Sequence, residues 1–332
     1  MENINLKCSV AIGTYNGEKY IIEQLRSIEN QTVIPDEIII FDDGSTDDTV
    51  KLIKEYIKTS KMNFSLNVNE KNLGCRRNYE QIYSACTNDI VFLCDQDDVW
   101  FSNKVEIFLE EFQKDENLVY AFSNAYVTDE NLNITNESEW SIDWTKYDRQ
   151  GFFDYVQTRN FPLGFQGAVR KSFLHQIFPL MSDPDGWIAQ CAAVFGNIKA
   201  IPEKLVYYRR HSQATSGAHR TQKSGYGALI KKILTTKYQV YFTYPNAELL
   251  TYGRILEYAE REKGVHTEEI RKHIVYLNTL KDIEGKNMFV RLKQIKSLID
   301  NNIYCHYRGN KKTYMLDCVF LIVNSFKRKS KR

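Results

Sequence analysis

Short apolar runs alternate with amphipathic segments along the first hundred residues. Four segments have the length and polarity pattern of strands: 6–14, 37–41, 64–68 and 89–93. Between them, apolar positions recur at helical spacing in three segments: 20–28, 50–57 and 79–86. This alternation predicts an α/β fold with a parallel sheet flanked by helices.

The pattern changes after residue 100. It predicts helices over 105–112 and 187–195, and strands over 118–122, 164–169 and 204–211. Residues 128–162 are rich in loop signals, and basic helices are expected from about residue 225 onward. We therefore predict one domain over 1–217, composed of the halves 1–100 and 101–217, and a basic helical region over 218–332.

Composition fits a soluble globular protein, because 43% of the 332 residues are hydrophobic and 26% are charged. The net charge of +2 conceals an asymmetry along the chain. Residues 216–332 carry 23 Lys and Arg against 10 Asp and Glu, whereas residues 1–215 carry 21 against 32. The acidic part could hold a metal ion and the basic part could meet an anionic surface. The basic residues follow no nucleic-acid-binding motif, so no nucleic-acid partner is expected.

The seven cysteines are odd in number, form no CxxC pair and follow no signal peptide. This pattern indicates reduced thiols in the cytosol rather than a disulfide framework or a zinc site. The apolar run 315–323 is too short to span a membrane and precedes a basic tail. It could be an interfacial anchor, or a core helix with a solvated tail, and the sequence leaves both open.

The strongest chemical signal is the acidic cluster that follows the fourth predicted strand. Asp95, Asp97 and Asp98 come directly after a buried apolar run. In open α/β sheets the ligand crevice lies beyond the carboxyl ends of the strands. Crowded carboxylates there suit a divalent cation that carries a diphosphate. Capping of a helix near residue 101 would explain Asp98 but not all three.

Other polar segments have both a functional and a purely structural interpretation. Thr14–Glu18 suits a nucleotide base but also an ordinary strand-to-helix turn, and Asp42–Ser45 could accept a pyrimidine N–H or cap a turn. Arg77 opens a helix, where a phosphate would be favoured. Asp185 could be a helix N-cap, and a lone histidine such as His211 is usually structural.

Taken in order, these motifs resemble the family-2 glycosyltransferases with the GT-A fold. The resemblance covers about residues 6–217, and it rests on residues 10–17, 42–47, 72–78 and 95–98. The segments Asp95–Trp100 and Tyr208–Ser212 are similar to rhamnosyltransferase-like members of bacterial polysaccharide pathways. The resemblance implies a GT-A catalytic domain with a nucleotide-sugar half over 1–100 and an acceptor half over 101–217.

The resemblance also implies a role for individual residues. Asp185 matches the catalytic base, although Pro184 stands where related sequences often have histidine. Asp97 would bind Mg²⁺ or Mn²⁺, and His211 would complete the metal site. The nucleotide-sugar would be held by a larger set: Thr14, Tyr15, Asn16, Glu18, Asp43, Arg77, Asp95 and Gln96.

The implied reaction is an inverting, metal-dependent transfer of a sugar from a nucleotide-diphosphate donor to a saccharide acceptor. We expect dTDP-rhamnose as the donor, with UDP-galactose or UDP-glucose as alternatives. The basic region suggests a polyprenyl-linked acceptor and peripheral contact with the inner face of the bacterial cell membrane. A nucleotidyltransferase would need a basic Gly-rich phosphate loop after the first strand, which is absent. A non-catalytic nucleotide-sugar-binding or scaffolding protein is the remaining alternative.

Overall fold

A computed structural model describes residues 5–140, 142–147, 151–152, 166–211, 245–261, 266–283 and 286–300. The chain divides into two compact units. The N-terminal unit comprises Met1–Phe153 with Asn160–Ala218, and the C-terminal unit comprises Asp154–Arg159 with His219–Arg332. The limits 1–217 and 218–332, and the assignment of a function to each part, stay predictions.

A mixed sheet organises the N-terminal unit. Its strands in chain order are β1 (Cys8–Thr14), β2 (Glu37–Asp42), β3 (Phe64–Val68), β4 (Ile90–Cys94), β5 (Val99–Trp100), β6 (Leu118–Thr128), β7 (Ile134–Asn136), β8 (Gly167–Arg170) and β9 (Asn197–Arg209). The spatial order is β3-β2-β1-β4-β8-β6-β9-β5, and β7 pairs with β6. Strands β1 to β4 pair in parallel, whereas β8 runs antiparallel between β4 and β6.

Helices connect and cover these strands. They are α1 (Ile21–Glu29), α2 (Thr49–Thr59), α3 (Cys75–Ala85), α4 (Lys104–Lys114), α5 (Lys171–Ile177) and α6 (Pro184–Phe195). Helix α1 shows why the spacing predicts them, because Ile21, Leu25 and Ile28 recur on one face and are fully buried. The predicted strands and helices of the first hundred residues are confirmed.

The core forms where these helices bury one face of the sheet. The even-numbered residues of β4, which are Ile90, Phe92 and Cys94, join the apolar side chains of α1 and α4 there. The ring centroid of Phe92 lies 5.4 Å from that of Phe108 and 5.8 Å from that of Trp100. Because β4 is buried along its whole length, it delivers the residues that follow it to a fixed place at the sheet edge.

Two strands are longer than their sequence pattern predicts. Strand β9 begins at Asn197 instead of 204, and β6 continues to Thr128 instead of 122. The additional part of β9 mixes apolar residues with Asn197, Lys199 and Glu203 and contains Pro202, so its own composition indicates a strand only weakly. Pairing between β6 and β9, with shifts of register along it, forms these extensions. Helix α6 likewise begins at Pro184, three residues before the predicted start.

The C-terminal unit contains the helices α7 (Pro245–Arg261), α8 (Thr267–Ile283) and α9 (Met288–Asp300). Helix α8 buries Ile270, Tyr276 and Leu277 among the residues of one face, and His273 packs on Tyr252 of α7 at a ring distance of 4.0 Å. Among the residues that the structure describes, no helix has the length and apolar character needed to cross a bilayer. The run 315–323 and the basic tail lie outside the described residues.

Substitution of Phe92 tests the importance of this core. Phe92→Ala removes a fully buried ring and should lower the free energy of unfolding by about 3–5 kcal/mol. Urea denaturation followed by circular dichroism measures the change. Val68→Ala, at a position 47% exposed in β3, is the control and should change stability by less than about 0.5 kcal/mol. Equal losses for the two variants would contradict the assignment of Phe92 to the core.

Candidate active site

The loops that follow β1, β2 and β4 meet at one edge of the sheet. These strands are parallel, and Thr14 pairs with Asp42 while Ile12 pairs with Cys94. Their carboxyl ends therefore lie side by side, which is where ligands bind in open α/β sheets. The residues predicted to bind a nucleotide-sugar follow these strand ends.

The loop after β1 is held by the loop after β4. The Tyr15 backbone N–H donates to Oε1 of Gln96 at 3.0 Å, and Nε2 of Gln96 donates to the Tyr15 carbonyl at 3.0 Å. Gly17 permits this approach, because a Cβ at that position would lie 2.2 Å from Oε1 of Gln96. The Tyr15 ring is 47% exposed, so it is available to a ligand.

The same loop is also tied to the segment after β2. Asn16 adopts a positive φ of 48°, its backbone N–H donates to Oγ of Ser45, and its Oδ1 accepts from the Thr46 N–H. Oε2 of Glu18 accepts from the N–H of Asp48, which is the N-cap of α2. Asn16 and Glu18 thus hold the two loops together, whatever else they bind.

Asp43 organises the loop before α3. Its buried carboxylate accepts hydrogen bonds from Nδ2 of Asn69 at 3.0 Å and from the N–H groups of Leu73 and Gly74 at 2.8 and 2.9 Å. Next to it, the hydroxyl of buried Thr14 donates to Asp42. Both predicted nucleotide-binding residues therefore also support the scaffold.

The first turn of α3 carries two arginines with different surroundings. Arg76 donates to the carbonyl of Leu180 at 3.0 Å, which attaches α3 to the segment before α6. The Arg77 side chain is exposed on the same turn. Arg76 is exposed as well, but it is already bound to the Leu180 carbonyl, so Arg77 is the better candidate for an anionic ligand.

The acidic residues after β4 converge as predicted. One oxygen from each of Asp95, Asp97 and Asp98 lies within 4.8 Å of the others. Burial raises the pKa of Asp95 well above its usual value, and the charges of Asp97 and Asp185 raise it further. A hydrogen bond from the Tyr79 hydroxyl, at 3.2 Å, opposes this rise. Asp185 thus lies close enough to the cluster to act on it electrostatically.

Asp98 faces the protein interior. It is fully buried, and its Oδ1 accepts from the Arg209 backbone N–H at 3.0 Å, while its Oδ2 has no hydrogen-bond partner. Capping of a helix by Asp98 is excluded because α4 begins at Lys104 with Asn103 as its N-cap.

A buried lysine lies below the cluster. The Lys104 ammonium packs 4.2 Å from the ring centroid of Trp100. Burial lowers the pKa of Lys104 to about 7, although the nearby Cys94 and Asp98 favour its charged form. The buried amino group of Lys104 therefore lies near Asp98 in the acidic cluster.

His211 and Asp97 are adjacent although they are far apart in the sequence. Nε2 of His211 lies 2.8 Å from Oδ2 of Asp97, and the two side chains are only 8% and 19% exposed. The His211 ring packs on Tyr20 with centroids 4.7 Å apart. The structure brings together the two residues predicted as metal ligands.

Asp185 lies in the first turn of α6, where Asp183 is the N-cap. The interpretation of Asp185 as an N-cap is therefore wrong. The indole N–H of buried Trp187 donates to the Ile177 carbonyl at 2.8 Å and fixes this end of the helix. The charge of Asp185 raises the pKa values of Tyr83 and Tyr120 in addition to the effect of burial, so it faces the same region as α3 and β6.

The sequence analysis assigned no role to Arg209, which is almost completely buried at the end of β9. Its Nε donates to the Asp97 carbonyl at 2.8 Å, and its Nη1 donates to the Glu130 carbonyl at 2.6 Å. The only sequence signal is the position of an arginine two residues before His211 at a predicted strand end. Its contacts depend on pairings that local sequence does not specify.

The acidic cluster fits a hard divalent cation. Mg²⁺ takes oxygen ligands at about 2.0–2.1 Å in near-octahedral geometry, so ligands on opposite sides of it are about 4 Å apart. The spread of up to 4.8 Å among the three carboxylate oxygens is compatible with small adjustments around such an ion. The buried, unpartnered Oδ2 of Asp98 and the adjacent His211 ring add further ligand capacity.

Comparison with known proteins identifies relatives of this chain. The family model described as "Glycosyl transferase family 2" matches residues 9–178. An uncharacterised glycosyltransferase of Nostoc sp. is 30% identical over 216 residues, which are 62% of this chain and 65% of the relative. Chondroitin synthase of Escherichia coli is 33% identical over 136 residues, which are 40% of this chain and 19% of the relative. The chain thus spans less than two thirds of the length of these curated relatives.

A solved structure resembles the whole chain. Residues 1–349 of S. aureus TarS, in complex with UDP-GlcNAc, match with a TM-score of 0.60 and 15% identity. The match covers 98% of this chain and 92% of the TarS chain. This likeness confirms the predicted GT-A fold class with a helical C-terminal region.

Neutralising Asp43 tests the scaffold of the site. Asp43→Asn replaces a buried carboxylate that accepts three hydrogen bonds, and it should lower stability by about 1.5–3 kcal/mol. Asp129→Asn is a matched control, because Asp129, which is only partly buried, also accepts from two backbone N–H groups and one asparagine amide. Its loss in urea denaturation should be smaller, since water replaces the lost bonds. A larger loss for the control would refute the scaffold role.

Proposed function

This chain belongs to glycosyl transferase family 2. We propose that it is a nucleotide-sugar glycosyltransferase, and that it is an inverting, metal-dependent enzyme with Asp185 as its base. The observation that carries this proposal is that side chains from the loop after β4, from the residue pair after β9 and from the first turn of α6 come together at one edge of the sheet. There the charge of Asp185 acts on Asp95, and His211 lies against Asp97.

In the proposed reaction, Asp185 accepts the proton of an acceptor hydroxyl. The hydroxyl oxygen forms a bond to the anomeric carbon as the bond from that carbon to the diphosphate breaks. The electron pair of the broken bond leaves with the nucleotide diphosphate, and the configuration inverts. A well-placed general base contributes about 10²–10⁴-fold in rate, and alignment of donor and acceptor contributes further.

Asp97 and His211, with Asp95 beside them, would hold Mg²⁺ or Mn²⁺. When bound, such a cation neutralises the negative charge that gathers on the leaving diphosphate. Burial supports this role, because it shields the carboxylates from water. Dissolved salt therefore screens their mutual repulsion only weakly.

The nucleotide end of the donor would meet the loops after β1 and β2. The exposed ring of Tyr15 offers a face to the base, and Arg77 offers an accessible cation to the diphosphate. Thr14, Asn16, Glu18, Asp43 and Gln96 hold these loops in shape through the hydrogen bonds described above.

The identity of the transferred sugar is also part of the proposal. We expect dTDP-rhamnose first, with UDP-galactose and UDP-glucose as alternatives. TarS has been solved with UDP and UDP-GlcNAc, so UDP-GlcNAc belongs in the same screen. Thermal stabilisation by each nucleotide-sugar in the presence of Mn²⁺ ranks the candidates, since a ligand that binds only the folded protein raises its apparent stability.

We further propose a lipid-linked saccharide acceptor and peripheral attachment of region 218–332 to the inner face of the bacterial cell membrane. Helix α9 supports this proposal. Phe289 is 77% exposed there, and the exposed Lys293 and Lys296 lie four and seven residues further on, on the same side of the helix. An aromatic ring among lysines suits an anionic lipid interface.

The proposed base is tested by Asp185→Asn. The amide cannot accept the acceptor proton, so transfer should fall about 10²–10⁴-fold, while donor binding changes less than about twofold. Rates of nucleotide diphosphate release with acceptor, and donor titration by calorimetry, measure the two effects. Asp183→Asn, which changes the neighbouring N-cap acid, should keep its rate. Near-normal transfer by Asp185→Asn would eliminate Asp185 as the base and reopen the non-catalytic alternative.

The proposed metal site is tested by Asp97→Ala and His211→Ala. Both variants should bind Mn²⁺ at least about 10-fold more weakly, as is typical when a residue supporting a metal site is removed. Calorimetric titration with Mn²⁺ measures this without any sugar present. Asp89→Ala, at the opposite end of β4, provides a matched loss of one carboxylate and should bind Mn²⁺ normally. Unchanged binding in all three variants would place the metal elsewhere.

Membrane contact is tested by sedimentation of the full-length protein with vesicles of phosphatidylglycerol and phosphatidylcholine. Binding should require the anionic lipid and weaken as salt is added. The double variant Lys293→Glu/Lys296→Glu, and separately deletion of residues 315–332, should each reduce it. Lys51→Glu/Lys58→Glu on α2 reverses the same charge in the N-terminal unit and serves as control. Failure of the full-length chain to sediment with anionic vesicles would overturn the proposal.

A further inference from the structure

Arg209, at the end of β9, joins the acidic loop to α1 and to the segment after β6. Its guanidinium donates to the carbonyls of Asp97 and Glu130 and forms an ion pair with the carboxylate of Glu23 on α1. Its backbone N–H donates to the side chain of Asp98. A single buried residue therefore contacts both Asp97 and Asp98, which lie more than a hundred positions earlier in the chain.

Arg209 and His211 share a further contact. The Arg209 guanidinium lies 4.5 Å from the centroid of the Tyr20 ring, and the ring of His211 lies 4.7 Å from the same centroid. Lys19, beside Tyr20, forms an ion pair with Glu130 at 2.6 Å. The start of α1 and the segment after β6 therefore surround both side chains at the end of β9.

The buried Arg209 side chain contributes directed hydrogen bonds and charge in addition to packing. A buried charge is costly unless its partners are placed well, and apolar residues of similar size would often stabilise a fold equally well. Here the charged guanidinium binds the backbone of the loop that carries the crowded carboxylates. Because a guanidinium is planar and permanently charged, it can bind two carbonyls and a carboxylate in fixed directions, which a lysine ammonium cannot reproduce.

We propose that Arg209 is a positioning residue of the metal site. It fixes the backbone at Asp97 and the side chain of Asp98, and through Tyr20 it aligns the His211 ring, so that the ligands are arranged before a cation arrives. This inference rests on the proposed metal site, but it assigns a separate role, since Arg209 itself contacts neither cation nor sugar. Residues that orient metal ligands typically contribute about 10–100-fold to metal affinity.

The test compares Arg209→Lys with Arg170→Lys. Arg170 is a matched control, because it also donates to backbone carbonyls, those of Leu118, Phe112 and Asp115, and packs on a ring, but it pairs with Ile90 at the far end of β4. Mn²⁺ affinity is measured by calorimetry on the full-length protein, and thermal stability is measured in parallel. We expect Arg209→Lys to weaken Mn²⁺ binding by about 10–100-fold and Arg170→Lys to leave it within about twofold, although both lose stability.

Glu23→Gln provides a second variant that should fold, because the Glu23 side chain is 51% exposed. It removes the ionic partner of Arg209 without touching the acidic loop, and it should weaken Mn²⁺ binding in the same direction but less. If the wild type binds Mn²⁺ and both Arg209→Lys and Glu23→Gln bind it equally well, Arg209 is only structural and the inference is wrong. If the wild type binds no Mn²⁺, the proposed metal site fails and this inference fails with it.

Discussion

Mutual repulsion among carboxylates at the end of β4 is the constraint on which the rest of this site depends. Two unit charges 4.8 Å apart repel by about 3 kcal/mol at an effective dielectric constant of about 20. Burial intensifies the effect, as the raised pKa of Asp95 indicates. Two basic side chains lie near the cluster: Arg209 at the end of β9 donates to the Asp97 carbonyl, and Lys104 at the start of α4 is buried, which lowers its pKa to about 7. A divalent cation on the open side would complete the balance.

A second property of the site is that some side chains join its loops while the side chains of neighbouring residues stay accessible. Asp43, Asn16 and Gln96 use their polar atoms to join loops. Tyr15 and Arg77 leave their side chains accessible. Loops carry binding residues in many enzymes, and they need such cross-links because no regular backbone ladder holds them. The hydrogen bonds that shape the loops therefore leave the Tyr15 and Arg77 side chains accessible.

The strands of the first hundred residues could be predicted because their signal is local. Strand β4 is a continuous apolar run, and α1 repeats apolar residues at helical spacing. The extended parts of β6 and β9 could not, since both mix polar with apolar residues and the β9 segment also contains Pro202. Those residues become a strand only because a partner strand is present. Pairing between strands distant in sequence outweighs weak local preference.

The same distinction applies to the site. Local order along the chain determines that Asp95, Asp97 and Asp98 follow a buried strand, because the residues after a strand must appear where that strand ends. Only the folded sheet decides that Asp98 faces inward, that His211 lies against Asp97 and that Asp185 acts on Asp95. Those relations depend on the order β4-β8-β6-β9 and on the placement of α6. Contacts between residues a hundred positions apart depend on burial and on charge balance in the folded protein, and no local sequence pattern specifies them.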